Sequence, residues 1–362
     1  MREPDRVEVR EHLESYATSV TLPPTISVIM SVHNCARYVA QAIESILDQS
    51  LRGFEFIIVD DFSDDGSDEI CQRFASADRR IMLLRNDQHL GLTRSLNKAL
   101  GLARSKYIAR MDADDVSLPR RFELQMQYLE SNTQIGLVGS YYYEIDENGD
   151  VATNVVQFSS DPIIVHWRMA IENPIPHPPI MVRKELVDRV GGYDERWGTS
   201  QDYDLFTRLC DETKLSNYPK VLFHWRRHGE SVSATQNERQ RSSALEICSA
   251  YLLRLLGREL SLEALQLLWT RTPKTVEEAA ELWSLCSETC RAVSAQARWS
   301  TKERALLRRY VAQKGFSYVR SQLVNARSWP IVVRLAFQSP RLFVVIVTSR
   351  FRRQPNTGTA ID

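Results

Sequence analysis

Two apolar runs of strand length constrain this chain more than any other feature. "ISVIMSV" (Ile26–Val32) and "FEFIIVD" (Phe54–Asp60) are continuous rather than alternating, the pattern of strands buried on both faces. Such strands need a covering layer above and below, and the intervening sequence supplies one. Val39, Ala42, Ile43, Ile46 and Leu47 share one face of a helix. "SDEICQRFA" reads as a second helix and "IMLLR" (Ile81–Arg85) as a third strand. A third helix over Leu92–Ala103 and a fourth strand, "YIARM" (Tyr107–Met111), follow. Strand–helix alternation with short connections implies an α/β fold, a mainly parallel sheet flanked by helices. Ligands of such sheets bind beyond the carboxyl ends of the strands. "DDFSDDGSDE" and "DADD" both fall there, after the second and fourth strands.

Beyond about Val182 the alternation weakens, and from about Asn237 to Gln322 the pattern is almost wholly helical. The expected division is an N-terminal extension (1–24), a sheet domain (25–236), a C-terminal helical region (237–328) and an apolar, basic tail (329–362). The longest uninterrupted apolar span of the tail, Leu342–Val347, falls short of the roughly 20 residues that cross a bilayer. Arg350, Arg352 and Arg353 follow it directly. The tail therefore reads in two ways: as a peripheral membrane contact over anionic head groups, or as a segment that packs on the helical region or a second subunit.

Forty-six basic residues balance forty-six acidic ones, so no global field draws in nucleic acid. Six cysteines without a C-x-x-C pair fit reduced thiols and no zinc site. The charged N-terminus lacks the apolar core of a signal peptide. The expected location is cytoplasmic, or peripheral on the inner face of the plasma membrane if the tail docks there.

The acidic turns admit three readings. From Asp61 the spacing D-x-S-x-D-G opens like a calcium loop with Gly66 sixth, but Gln72 stands where a bidentate Glu belongs. From Asp112, Glu123 is twelfth, but Val116 and Ser117 occupy a ligand position and the glycine position. Plain solvation explains one such turn better than two on one sheet edge. The third reading is that Asp112-x-Asp114 grips Mg²⁺ or Mn²⁺, hard cations that take carboxylate oxygens and keep positions open for phosphate.

The motifs "SVIMSVHN", "AIESILDQS", "FEFIIVDDFSDDGSD", "LGLTRSLNKAL", "YIARMDADDVSLPRRFELQ", "HPPIMVRK", "GGYDE", "SQDYDLFTRL" and "RRHGESVS" occur in that order. Over about Thr25–Gln236 this series resembles the inverting family 2 glycosyltransferases, whose fold is the Rossmann-like GT-A sheet. The resemblance implies a nucleotide-diphospho-sugar donor, a uridine one favoured, and Mn²⁺ or Mg²⁺. It implies a hydroxyl acceptor on a glycan, a glycolipid or other lipid-linked acceptor, or a glycoprotein, in cell-surface polysaccharide synthesis. It assigns Ser31, His33 and Asp61 to the base and ribose. The family usually has Pro-x-Tyr-Asn where this chain reads Ser31-Val32-His33-Asn34, and Phe62 replaces a common Gly. Those departures leave the base open. Asn34 is expected to cap the next helix.

The same resemblance turns Arg94 and Asn97 toward the donor, with Arg110 beside the metal. Gly91 would allow close approach at the start of their helix. Asp112 and Asp114 match the metal and diphosphate motif, with His228 as a further ligand and Arg227 folding over the diphosphate. Asp115 is expected to cap or orient the following turn. Asp202 matches the general base, and Gln201, where most members carry Glu, removes a neighbouring like charge. Asp204 reads as helix surface or sheet anchoring, and His177 as shaping a loop near the acceptor. Two other classes fit the sequence less well. A sugar-phosphate nucleotidyltransferase would need a Gly-rich loop that "SVHNCARY" lacks. A non-catalytic nucleotide-sugar binder would not need Asp112, Asp114 and Asp202 together.

Overall fold

The buried runs become strands in the computed structural model, which describes residues 24–229 and 237–323. Strands β1 (Ile26–Val32), β2 (Phe54–Asp60), β3 (Ile81–Arg85) and β4 (Tyr107–Asp112) pair in parallel in the order β3-β2-β1-β4. Helices α1 (Val39–Leu47), α2 (Ser67–Ala77) and α3 (Leu92–Leu102) connect them. All of β2 is buried, and β1 is buried except at Ser31. The register sets Val32 beside Asp60 and Ser31 beside Asp112, so both acidic turns leave the sheet at one edge.

The second half is less regular. Past β4 come β5 (Val116–Ser117), α4 (Arg121–Ser131), β6 (Ile135–Ile145), β7 (Val151–Val156) and α5 (Pro162–Arg168). They are followed by β8 (Met181–Arg183), α6 (Lys184–Arg189), α7 (Gln201–Glu212) and β9 (Lys214–Arg226). Strand β8 lies antiparallel between β4 and β6, β9 runs parallel to β6, and β5 and β7 pair antiparallel with β9 and β6. The sheet is thus parallel through β4 and mixed beyond it. Its core includes Val28, Met30, Phe56, Tyr107, Met111, Phe122 and Phe223. Each large apolar side chain of this kind contributes about 1.5–3 kcal/mol when fully buried.

One buried charge fixes the end of β4. Arg121, the first residue of α4, donates through Nη2 to the carbonyls of Arg110 (2.7 Å), Ile180 (3.0 Å) and Pro178 (3.3 Å). Its Nε donates to Gln125 Oε1 at 3.1 Å, and the Phe122 and Phe223 rings lie 5.5 and 5.3 Å from the guanidinium carbon. Burial pulls its pKa down to about 9, so it remains a cation at neutral pH. A buried charge is tolerated only when its donors are met, and the acceptors here tie the β4 carbonyl two residues before Asp112 to the segment that leads into β8.

Two compact units divide the described residues. The sheet unit holds residues up to 158 and 175–229; the helical unit holds 159–174 and 237–323. The helical unit therefore takes a segment inserted in the sheet unit, α5 included, as well as the chain beyond 236. It contains α8 (Asn237–Leu256), α9 (Leu262–Thr270), α10 (Val276–Ala295) and α11 (Thr301–Leu323). Trp167 Nε1 donates to Thr289 Oγ1 at 3.0 Å, and Glu172 pairs with Arg168 and Arg271. Ser261 and Thr275 cap α9 and α10 through their hydroxyls. All six cysteines are free thiols, five of them buried. Among the described residues no helix is long and apolar enough to cross a membrane. The N-terminal extension through residue 23 and the tail over 329–362 lie outside the described residues.

Candidate active site

The turn after β2 is met by donors of its own chain. Asp61 is 1% exposed. Its Oδ1 accepts from Leu90 N and Asn86 Nδ2, both at 2.8 Å; its Oδ2 accepts from Gly91 N at 2.7 Å and lies 3.1 Å from His89 Nδ1. Burial alone would raise this carboxyl, but the donors from Leu90, Asn86 and Gly91 outweigh it and hold the pKa below the ordinary range. Gly91, at φ 89°, turns its N–H onto Asp61 as α3 begins. Asp65 is similarly engaged, accepting from Ala36 N at 2.8 Å and from Ser67 N and Oγ at 3.0 and 2.6 Å. The calcium-loop reading finds no support here: Asp61 and Asp65 hold protein donors, a strand rather than a helix precedes the loop, and Gln72 stands at its twelfth position.

His33 lies at the rim of this turn. Its Nδ1 is 2.9 Å from the Asp61 carbonyl, and its ring is 4.0 Å, centroid to centroid, from that of His89, at a tilt of 35°. His89 was not singled out from the sequence; its position just past β3 was the only signal. Asn34 does not cap α1, which begins at Val39. At φ 48° it accepts from Asp64 N (3.0 Å) and donates its own N–H to Ser63 Oγ (3.1 Å), tying the end of β1 to the acidic turn. Phe62 sits at φ 64° and is 48% exposed. The common Gly there has a physical reason, since a left-handed backbone costs other residues roughly 1–2 kcal/mol.

The turn after β4 is held differently. Asp112, at the end of β4 beside Ser31, receives both terminal nitrogens of Arg110. Asp112, Asp114 and Asp115 each bring a carboxylate oxygen within 4.8 Å of the others. Asp115, expected to cap the next turn, instead points inward: it is 1% exposed, and its Oδ1 accepts from Arg226 N at 2.7 Å. Helix α4 starts only at Arg121. Burial, then the charges of Asp114 and Asp112, raises the Asp115 carboxyl well above its ordinary value. Asp112 is pushed up to about 6 by burial, with Asp114 and Asp202 adding to the rise and Arg110 opposing it.

The end of β9 closes over this turn, with Arg226 rather than Arg227. Arg226 is buried and donates through Nε to Asp114 O (2.7 Å), through Nη1 to Asp146 O (3.0 Å) and through Nη2 to Gln41 Oε1 (2.5 Å). It also lies over the Tyr38 ring at 4.7 Å. Arg227, expected over the diphosphate, is exposed and pairs with Glu144 at 3.2 Å. Alternation along a strand accounts for this, putting 226 and 228 on one side and 227 on the other. His228 Nε2 lies 2.9 Å from Asp114 Oδ2.

Asp202, half-buried, sits in the first turn of α7, where the helix dipole favours a carboxylate. Its charge is felt at Asp112 and at the Tyr193 hydroxyl. The loop before α7 is pinned by several residues. Asn97, expected on the donor, commits its amide to Tyr193, donating to O at 2.8 Å and accepting from N at 3.0 Å. Arg94 pairs with Glu195 at 3.3 Å. Asp204 accepts from Arg208 at 2.6 Å, and Arg208 also donates to Val190 O and Gly192 O. His177 is buried, with Nε2 2.8 Å from Tyr193 Oη; burial and then Arg110 hold its pKa well below the ordinary value, so it is neutral. Ser31, Asp112, Asp114 and His228 thus gather at one carboxyl edge, with Asp202 in electrostatic reach. Arg94, Asn97 and Arg227 engage neighbouring loops and strands instead.

Glycosyl transferase family 2 matches residues 27–191. A glycosyltransferase of Methanocaldococcus jannaschii is 35% identical over 206 residues, 56% of this chain and 71% of the relative. The O-antigen biosynthesis glycosyltransferase WbnJ of Escherichia coli is 31% identical over 243 residues, 65% of this chain and 90% of the relative. Among solved structures, S. aureus TarS 1-349 in complex with UDP-GlcNAc superposes with a TM-score of 0.54 at 15% identity, covering 87% of this chain and 92% of that one. The mannosyltransferase PcManGT of Pyrobaculum calidifontis gives 0.50 at 19% identity, covering 87% of this chain and 89% of that one. These structural likenesses show the GT-A fold, and the sequence relatives show the kinship: this chain belongs to glycosyltransferase family 2 and is a glycosyltransferase.

Proposed function

We propose that the protein moves a sugar from a nucleotide-diphospho-sugar to a hydroxyl of a glycan or lipid-linked glycan, inverting the anomeric carbon and depending on Mn²⁺ or Mg²⁺. The observation that carries this reading is the convergence of Asp112, Asp114 and Asp115 within 4.8 Å, with the charge of Asp202 reaching Asp112. Relatives named for O-antigen and amylovoran biosynthesis support a surface polysaccharide as the product's destination. Structures solved with UDP-GlcNAc, and with GDP-Man and Mn²⁺, support the donor class.

The donor set fits a hard cation: carboxylate oxygens beside one imidazole nitrogen. Asp112 and Asp114 would hold it, with His228 in place to join them and Asp115 behind. When bound, such a cation neutralises the charge that gathers on the leaving diphosphate. The chain's own residues do the rest. Asp202 accepts the proton of the acceptor hydroxyl as that oxygen bonds to the anomeric carbon and the bond to the diphosphate oxygen breaks. The paired rings of His33 and His89, beside Ser31, present aromatic surface to a nucleobase. Asp61 holds the loop that carries His89 rather than contacting the base itself, because its oxygens are taken.

Turnover of UDP-GlcNAc, UDP-glucose, UDP-galactose and GDP-mannose, measured with Mn²⁺ and with EDTA, tests the reading. At least one donor should turn over with Mn²⁺ and not with EDTA, and proton NMR of a transferred product should show inversion. Turnover unaffected by EDTA, or retention at the anomeric carbon, would overturn the metal or the inverting part respectively.

A further inference from the structure

Burying Arg226 is costly. It is 2% exposed, and among the described residues no carboxylate pairs with its guanidinium. A buried cation without a counter-ion persists only where its donors are met. Here each of the three nitrogens meets a different stretch of chain. Nε donates to Asp114 O at 2.7 Å in the turn after β4, and Nη1 to Asp146 O at 3.0 Å just past β6. Nη2 donates to Gln41 Oε1 at 2.5 Å in the first turn of α1. The planar fork fixes all three directions at once, which the single nitrogen of a lysine does not. The backbone N–H of Arg226 adds a fourth tie, to Asp115 Oδ1 at 2.7 Å.

The flat face of the guanidinium is used as well. It lies 4.7 Å from the centroid of Tyr38, a ring 6% exposed just before α1. The His228 ring lies 5.0 Å from the same centroid, tilted by 47°. Contacts of this kind fix the orientation of a ring as well as adding energy. The ring so held is the one whose Nε2 stands 2.9 Å from Asp114 Oδ2. One side chain thereby governs three groups at the cluster: the backbone of Asp114, the carboxylate of Asp115 and, through Tyr38, the imidazole of His228. Filling space gives no reason for that convergence, because an apolar side chain of similar volume serves a core as well or better.

We infer that Arg226 and Tyr38 are positioning residues for the cation. Neither would touch it; together they set the separation and direction of Asp114 and His228 so that both reach one ion. The inference rests on the metal reading above and assigns the parts of the chain that shape that site. Without the fork, the Asp114 carbonyl and the His228 ring lose their common anchor while every carboxylate of the cluster remains.

The test is Mn²⁺ binding to the full chain at pH 7.5 without donor, read from the EPR signal of free aqueous Mn²⁺. Melting curves in EDTA identify any variant that has not folded. Arg226→Lys keeps the charge and loses the fork, and should weaken Mn²⁺ binding about 10–100-fold. Tyr38→Leu should weaken it about tenfold, whereas Tyr38→Phe keeps the ring and should bind as the wild type does. Gln41 is exposed, so Gln41→Ala frees one arm of the fork with little bearing on folding. It should weaken Mn²⁺ about threefold, the share of one neutral hydrogen bond, and it decides the matter if Arg226→Lys does not fold. A lower melting temperature with wild-type Mn²⁺ affinity in folded Arg226→Lys and Tyr38→Leu would make both residues merely structural and overturn the inference, leaving the metal reading standing. A wild type that binds no Mn²⁺ would count against the metal reading itself, and the positioning role would fall with it.

Discussion

Two acidic turns lie on the same edge of the sheet, yet their charges are held in opposite ways. After β2, Asp61 and Asp65 accept from backbone N–H groups and small polar side chains, and both carboxyls are held below the ordinary range. After β4, carboxylates converge on one another, and Asp112 and Asp115 are raised. Composition does not separate the turns; donors do. The first turn ends a strand and clamps the loop carrying Gly91 and His89. The second keeps like charges together, at a cost that Arg110 offsets only in part. A bound cation would remove that cost.

Six substitutions, in four predictions, would break or sharpen this contrast. The largest effect is expected at the metal-facing carboxylates: Asp112→Asn and Asp114→Asn should each lower sugar transfer at least ~10³-fold, read as turnover at saturating donor. Next is Asp202→Asn, which should lose about 10²–10⁴-fold in transfer while donor binding, followed by thermal shift, stays unchanged. Equal loss of both would make Asp202 structural.

The third prediction sets the turns against each other in stability. Asp61→Asn turns an NH₂ group toward donors and should cost about 3 kcal/mol in urea unfolding at pH 7.5. Asp115→Asn should instead stabilise the metal-free protein, since the amide oxygen can still accept from Arg226 N. The pH dependences should also oppose. The lowered pKa of Asp61 gives stability that is present above its unfolded value near 3.8 and lost as pH falls through the lower folded value. The raised pKa values of Asp112 and Asp115 give stability that is present at low pH and lost as pH rises, for Asp112 through about 6. The advantage of Asp115→Asn should therefore fade toward pH 4. The smallest effect is at Phe62, where Phe62→Gly relieves a left-handed backbone and should stabilise by at most about 1 kcal/mol.

How far the sequence could be read follows from the same contrast. Strands β1 to β4 were legible because burial on both faces gives apolar runs and the acidic turns punctuate them. Strands β5 and β8, with two and three residues, are too short to show a period. Asp112 and Asp114 stood out because their chemistry lies in the residue type, and Asp202 because it falls at the position the family resemblance gives to a general base. The roles of their neighbours depended on direction. "DADD" does not reveal which carboxylate turns inward, and Asp115 does. "RRH" does not reveal strand parity, which assigns the buried position to Arg226. Asn97 and Arg121 are helix residues whose partners, the loop at Tyr193 and the carbonyls of Arg110 and Ile180, are distant in sequence.

The most direct test of the central contrast is a Mn²⁺ titration of the full chain at pH 7.5, followed by melting temperature, in the wild type, Asp114→Asn and Asp61→Asn. If the second turn alone holds charge for a cation, Mn²⁺ should raise the melting temperature of the wild type and of Asp61→Asn by similar amounts and leave Asp114→Asn unmoved. An equal rise in Asp114→Asn, a rise abolished by Asp61→Asn, or no rise in the wild type would contradict it.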